Sequence, residues 1–406
     1  MEKKIKNIAI IWENVKYGGM NTFIENLINS KELKNIKINL ITNKNNEGIQ
    51  SLKNNIKNKN YKLITYNSFN VVNVNNYLIK LIFWTFRPLF LIASIIQTYL
   101  ILKNNKPEII LATCGGYGNF RTDSTSLISA KFLNIKGRIL NIHHSYTAPR
   151  MWNFFLKYID KRIRNSSTNL IFNSKAVKLS VQNNTMLLNT GKKFDIIHLG
   201  VSIYRSNQNR INLNRIFKTK KKNTLKIGIL SRVETGKGHY DMIEAFSRLS
   251  ENMKKNFQVF FVGPLDANEL KKINKNLKKL NLNKFFKVTG FLNCDSLHII
   301  KKLDLVLSLS TSFEGFGLSI AEALMAKKPI VATKVGAVTE FLNNKNSKLI
   351  NPGNINQIKY SLEDFYKNKK KWKSKALIGH KTIIKKFTSE ITAKKYIENF
   401  KIIIDR

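Results

Sequence analysis

Leu305-Val-Leu-Ser308-Leu-Ser-Thr-Ser312-Phe-Glu314-Gly315-Phe316-Gly317-Leu318-Ser-Ile-Ala-Glu322-Ala-Leu-Met325 reads as a short apolar strand, a loop held open by glycines, and an apolar helix. Gly315 and Gly317 keep the loop out of helical geometry, so the helix is expected to start near Leu318 and to leave Glu314 outside it. Eight helical positions advance about 80° beyond two full turns, so Glu314 and Glu322 fall on broadly the same side. Helical side chains lean toward the N-terminus, which aims Glu322 at the loop carrying Glu314. The free N–H groups of the helix start face the same point. Two carboxylates beside bare amides suit a ligand with hydroxyls at both ends and phosphate between them.

The same strand-loop-helix rhythm runs through the chain. Apolar runs at 5–12, 36–42, 61–66, 108–112, 138–142 and 169–172, then at 225–230, 257–262, 287–289, 305–308 and 330–332, alternate with amphipathic stretches. That pattern predicts two successive doubly wound parallel sheets. A polar, basic stretch at 203–223 suits a linker, and the pattern is purely helical after Asn354.

Two further loops sit at expected strand ends. Ser231-Arg232-Val-Glu-Thr-Gly236-Lys237-Gly238 places an Arg and a Lys five residues apart, with glycine on both sides of the Lys, so two cations can converge on one phosphate group. Solvated cations in a basic loop are the plainer reading of that stretch. Tyr17-Gly18-Gly19-Met20-Asn21 follows the first strand and opens a helical stretch at 22–28. Paired glycines let a ligand approach helix N–H groups, but this is neither the G-x-G-x-x-G fingerprint nor a P-loop, and a plain turn also accounts for it.

Composition sets the background. Of 406 residues, 70 are Lys or Arg and 25 are Asp or Glu, a net charge of 70 − 25 = +45. The cations are spread through almost every part of the sequence, which argues against a nucleic-acid groove and leaves an affinity for anionic surfaces or ligands. Cys114 and Cys294 stand far apart with no metal or disulfide spacing. The apolar run at 5–12 is too short for a secretory leader, so a cytoplasmic protein is expected. The most apolar segment, 81–102, is broken by Arg87-Pro88 and leaves about 14 apolar residues where a span needs about 20. It is expected to be a buried helix of the first domain, with an interfacial, membrane-dipping hairpin as the alternative. Trp152, Phe154, Phe155 and Tyr158 among Arg150, Lys157, Lys161, Arg162 and Arg164 make a basic aromatic helix that could rest on anionic lipid or pack in the core.

Arg232-x4-Lys237, Glu314-Gly-Phe-Gly and Glu322 together resemble the donor-site signature of retaining glycosyltransferases of family 4, which have the GT-B fold. Phe261-Val-Gly263-Pro264, Thr289-Gly290-Phe291 and the stretch from Pro329 to Glu340 resemble further landmarks of that family. The resemblance is strong over 225–352 and loose before Ile171. It implies two Rossmann-like domains facing a central cleft, 1–202 and 224–387, with a C-terminal helix at about 388–406 returning to the first. It implies that Arg232 and Lys237 bind the donor diphosphate and stabilise the leaving nucleotide. Gly263, Glu314 and the backbone of Gly315, Phe316, Gly317 and Leu318 would hold the donor and its sugar, and Glu322 the ribose. His143, with His144 as competitor, would reach the sugar or acceptor, and Gly18 and Gly19 would admit acceptor and phosphate.

The implied activity is transfer of a hexose, with retention, from a nucleotide-diphosphate sugar to a saccharide or lipid-linked saccharide acceptor of cell-surface polysaccharide or lipopolysaccharide. The enzyme would be bacterial, would need no metal and no cofactor, since no D-x-D pair follows a strand, and could sit at the inner membrane face. Lys327, Ala337 and Ser347 stand where the family commonly has glycine. The rivals are a phosphorylase or nucleotide-sugar epimerase on the same fold, a basic nucleic-acid-binding protein, and a membrane-surface scaffold without catalysis.

Overall fold

The computed structural model describes residues 5–13, 15, 18–68, 81–83, 85–118, 121–147, 153–185, 193–202, 211–219 and 221–405. Tyr17, Arg150, Trp152 and much of the expected linker (203–210 and 220) lie outside the described residues, as do the side chains of Asn153, Phe154 and Leu156. The chain divides into two compact units, residues 1–200 with 389–406, and residues 201–388.

In the first unit the elements are β1 (Asn7–Trp12), α1 (Gly19–Ile28), β2 (Lys37–Asn43), α2 (Ile49–Asn55), β3 (Tyr61–Tyr66), α3 (Arg87–Asn105), β4 (Ile109–Gly116), α4 (Thr122–Phe132), β5 (Gly137–His144), α5 (Asn153–Ser166), β6 (Asn169–Phe172), α6 (Lys175–Gln182) and β7 (Phe194–Ile196). Among the described residues the strands form one parallel sheet in the order β3-β2-β1-β4-β5-β6-β7. The order reverses between β1 and β4, the point where such sheets open a ligand crevice beyond the strands' carboxyl ends. Central strands buried on both faces need unbroken apolar runs, which is why Ile8, Ile10, Ile109, Leu111, Ile139 and Leu140 are all buried.

In the second unit the elements are α7 (Leu213–Ile216), β8 (Leu225–Leu230), α8 (His239–Ser247), α9 (Glu251–Lys254), β9 (Phe257–Val262), α10 (Ala267–Lys279), β10 (Phe286–Gly290), α11 (Ser296–Lys301), β11 (Leu305–Ser308), α12 (Leu318–Met325), β12 (Ile330–Thr333), β13 (Lys348–Ile350), α13 (Ile355–Lys367) and α14 (Lys369–Lys386). Its sheet, also parallel, has the order β10-β9-β8-β11-β12-β13. Phe246 of α8 anchors its core, packed edge-on to Phe257 and Phe286. The last helix, α15 (Ser389–Asp405), belongs to the first unit. Its Tyr396 Oη donates to Asn141 Oδ1 on β5 at 3.0 Å, and Asn399 Nδ2 donates to Asp195 Oδ2 on β7 at 2.6 Å.

Besides two short edge strands that the apolar runs do not predict, β7 and β13, the structure departs from the sequence expectations in three places. The stretch expected as a bare linker contains α7, because Leu213 and Phe217 share one face and are buried, Phe217 against the Phe260 ring with centroids 4.6 Å apart. α1 starts at Gly19, three residues earlier than expected, since Gly18 N–H donates to Asn21 Oδ1 (3.0 Å) and closes the first turn. α3 is not buried all round; one apolar side of it is exposed.

Lys327 stands where glycine is common, and it follows the end of α12 with φ +57°. Lys327 N–H donates to Leu324 O and Lys328 N–H to Ala323 O, which closes the helix through a left-handed residue. A side chain in that conformation costs more than glycine does there. Lys327→Gly should therefore stabilise the protein by about 0.5–1 kcal/mol, read as a shift in the urea midpoint at unchanged slope.

Candidate functional site

The loops that follow β8, β9, β11 and β12 meet at the carboxyl edge of the second sheet. α12 starts at Leu318 behind Gly317, so Glu314 lies outside the helix as the glycine spacing predicts. Glu314 is fastened in three ways: its carbonyl accepts from Ala337 N–H at 2.8 Å, and its Oε2 accepts from Lys237 Nζ at 3.3 Å and from Ser310 Oγ at 3.2 Å. Lys237 and Glu314 are each 22% exposed, which makes their pair less screened than a surface ion pair.

The second cation, Arg232, is more open and pairs with Glu234 at 3.1 Å. The Arg232 loop is tied down by its neighbours, since Val233 N–H donates to Pro264 O at 2.9 Å and Thr311 N–H to Gly236 O at 2.9 Å. Gly263 permits this approach: a Cβ there would stand 1.9 Å from Ser231 O. Glu322 lies on α12 and is buried. Phe316 turns inward and stacks on Phe341, centroids 5.0 Å apart, which pins the loop between Gly315 and Gly317. The structure thus brings Arg232, Lys237, Gly263, Glu314, Gly315, Phe316, Gly317, Leu318 and Glu322 to one end of one unit. Among the described residues no group of three His, Cys, Asp or Glu side chains is placed to hold a metal ion.

The remaining candidates belong to the first unit. Gly18 ends in an extended conformation and Gly19 starts α1, with open space where a Gly18 side chain would be. His143, on β5, is buried and lies against the Phe23 ring of α1, centroids 4.6 Å apart. Burial holds its imidazole down to about 3, so it is neutral at physiological pH. His144 is exposed, with Nδ1 3.0 Å from Ser145 Oγ.

One cluster was not read from the sequence. At the carboxyl edge of the first sheet, Glu13 Oε2 accepts from Thr122 N–H (2.7 Å) at the start of α4, and Asp123 Oδ1 accepts from Ser124 N–H (2.6 Å). Both acids are buried, beside Tyr66 and Arg121. Burial, and then the Glu13 charge, push the Asp123 carboxyl up to about 7. The signal was absent because Glu13 and Thr122 are 109 residues apart.

Residues 211–379 match the family model described as Glycosyl transferases group 1. An uncharacterized glycosyltransferase of Methanocaldococcus jannaschii is 25% identical over 260 residues, 61% of this chain; the match spans 64% of that relative's length. A glycosyltransferase structure from Rickettsia africae superposes with a TM-score of 0.77 at 19% identity, covering 99% of both chains. Anabaena HepE in complex with UDP and glucose superposes with a TM-score of 0.73 at 17% identity, covering 98% of this chain and 99% of that one. The chain has the GT-B α/β fold.

Two outcomes follow. Gly336, at φ +53°, sits under Glu314: a Cβ there would be 2.2 Å from the Glu314 carbonyl oxygen. Gly336→Ala should displace the Glu314 loop and destabilise the second unit by about 2 kcal/mol, measured by urea unfolding. Asp123 keeps its proton to about 7 when folded but only to the ordinary carboxyl value of 3.8 when unfolded. The folded state then binds more protons between those values, so this group's contribution to stability is full below the lower value and is lost as pH rises through about 7. Stability of the wild type relative to Asp123→Asn should fall from pH 4 to pH 8; a constant difference would contradict it.

Proposed function

We propose that this chain is a glycosyltransferase that moves a sugar from a nucleoside-diphosphate donor to a saccharide or lipid-linked saccharide acceptor, with retention at the anomeric carbon. The observation that carries the reading is the partly buried Lys237–Glu314 pair beside the start of α12, inside a region matched by the Glycosyl transferases group 1 model. The UDP and glucose held by the HepE neighbour support a nucleotide-sugar donor.

Glycosyl transfer passes through an oxocarbenium-like state, and its main electrostatic demand is the charge that builds on the departing diphosphate. Lys237 gives a point charge, Arg232 a planar fork, and the α12 start contributes unpaired N–H groups; together they stabilise that charge. No divalent ion is needed where protein cations meet this demand. Glu314 and the Gly315–Gly317 backbone hold the transferred sugar, while Glu322 accepts hydrogen bonds from the ribose. His143, neutral, serves the sugar or acceptor as a hydrogen-bonding group rather than a charge, and Gly18 and Gly19 admit the acceptor. The sugar is a hexose, and the product belongs to a cell-surface polysaccharide or lipopolysaccharide.

The test is donor binding and turnover of the purified chain against UDP- and GDP-hexoses, with transfer or slow donor hydrolysis as readout. Arg232→Ala and Lys237→Ala should each cost about 10²–10³-fold in kcat/KM, whereas Glu322→Gln should mainly raise KM. Activity of the wild type should survive chelation of divalent ions. Normal turnover by the double cation variant would refute the assignment of the diphosphate site.

A further inference from the structure

We propose that the outer face of α3 is a docking surface for an anionic lipid bilayer. At 100° per residue, Leu89, Ile92, Ile96 and Leu100 fall within an arc of about 80°. Together with Leu81, Ile82 and Phe86 just before the helix, they are between 45% and 60% exposed. The buried residues of the same helix, Leu91, Ser94, Thr98 and Leu102, occupy the opposite side.

This inverts the usual arrangement of a surface helix, in which polar residues face water. The inner side is satisfied by hydrogen bonds: Thr98 Oγ1 lies 2.8 Å from Ser129 Oγ of α4, and Ser129 Oγ donates to Ile95 O at 2.7 Å. The inner side thus packs through Leu91, Leu102 and two hydroxyls, and its burial does not account for the isoleucines and leucines on the outer one. The line from Leu89 to Leu100 is about 17 Å long, enough for a helix lying in an interface. No helix among the described residues is long and apolar enough to cross a membrane.

Charge selects the occupant. α3 packs on α4, and α4 on α5. The neighbouring helices also carry exposed rings, Phe132 at the end of α4 and Tyr158 on α5. On these helices and just after α3, Lys103, Lys106, Lys131, Lys157, Lys161 and Arg162 are all exposed. The sequences of α3, α4 and α5 contain only two carboxylates, and both are internal: Asp123, and Asp160 bonded to Tyr117 Oη at 2.5 Å. An apolar ridge on a set of packed helices whose exposed charges are all cationic is the signature of an interfacial helix on anionic lipid. The net charge of +45 adds long-range attraction to the same surface.

The test is flotation of the full chain with vesicles of phosphatidylcholine alone or with a one-third admixture of phosphatidylglycerol. The wild type should float at least about tenfold better with the anionic vesicles. Two triple variants, Ile92→Glu/Ile96→Glu/Leu100→Glu and the uncharged Ile92→Ser/Ile96→Ser/Leu100→Ser, should each lose about tenfold in retention while keeping the wild-type melting temperature. Lys271→Gln/Lys275→Gln/Lys278→Gln on α10 lowers the net charge by as much as the Glu triple and should stay within about twofold of wild type. Wild type left at the bottom of both gradients, or triple variants that float normally, would overturn the proposal. So would sedimentation showing a wild-type dimer that the triples dissociate, since a second copy would then cover the face. Donor binding, titrated separately, reports on the diphosphate site alone, so either conclusion can fail without the other.

Discussion

The carbonyl of Glu314 is the fixed point of the second unit's functional edge. Ala337 N–H holds it from the loop after β12, and the absent side chain of Gly336 lets that loop lie against it. With the backbone so fixed, the carboxylate is aimed at Lys237 and Ser310, which come from the loops after β8 and β11. Three loops are therefore coordinated through one residue. Gly263 draws in the fourth, because the loop after β9 can touch Ser231 only without a side chain. A parallel sheet makes this economical, since every strand delivers its loop to the same edge.

How much of this was legible depended on the distance over which each feature is encoded. Strands β6, β8, β9 and β11 have the bounds that their apolar runs predict, because interior parallel strands bury both faces. The missed strands, β7 (Phe-Asp-Ile) and β13 (Lys-Leu-Ile), are short edge strands with charged residues, and so carry no such run. The geometry around Lys237 and Glu314 was readable because each loop lies within one strand-loop-helix unit, where glycine spacing alone fixes the helix start. The Glu13–Asp123 cluster was not, since it exists only after β1 and the start of α4 come together. Lys327 belongs to an intermediate kind: its departure from glycine was visible, but that it takes up a left-handed conformation is known only from the backbone.

The exposed side of α3 shows why apolar content alone misled. A segment rich in Leu and Ile was expected to be buried, yet its core-facing positions include Ser94 and Thr98. The Thr98 hydroxyl meets Ser129 and the Ser94 hydroxyl accepts from Thr122 Oγ1, both on α4, whose sequence Thr-Asp-Ser-Thr-Ser is itself polar at its start. Two helices can pack closely through small hydroxyl-bearing residues, leaving the large aliphatic side chains to face outward. The pairing of faces, which decides burial, is a property of two segments and not of either one.

The Lys237–Glu314 pair also bears on how a donor would enter. A half-buried ammonium without a counter-charge is costly, so in the unliganded protein Glu314 keeps Lys237 neutralised and in place. A diphosphate carries more charge than a carboxylate and can be reached by Arg232 as well, whose own partner Glu234 is exposed and weakly held. On the donor site proposed above, exchange of Glu314 for phosphate on Lys237 would free the carboxylate to accept hydroxyls of the sugar that arrives with it. Desolvation of each ion is offset by a new partner in the same step, so neither charge is stranded as the donor binds.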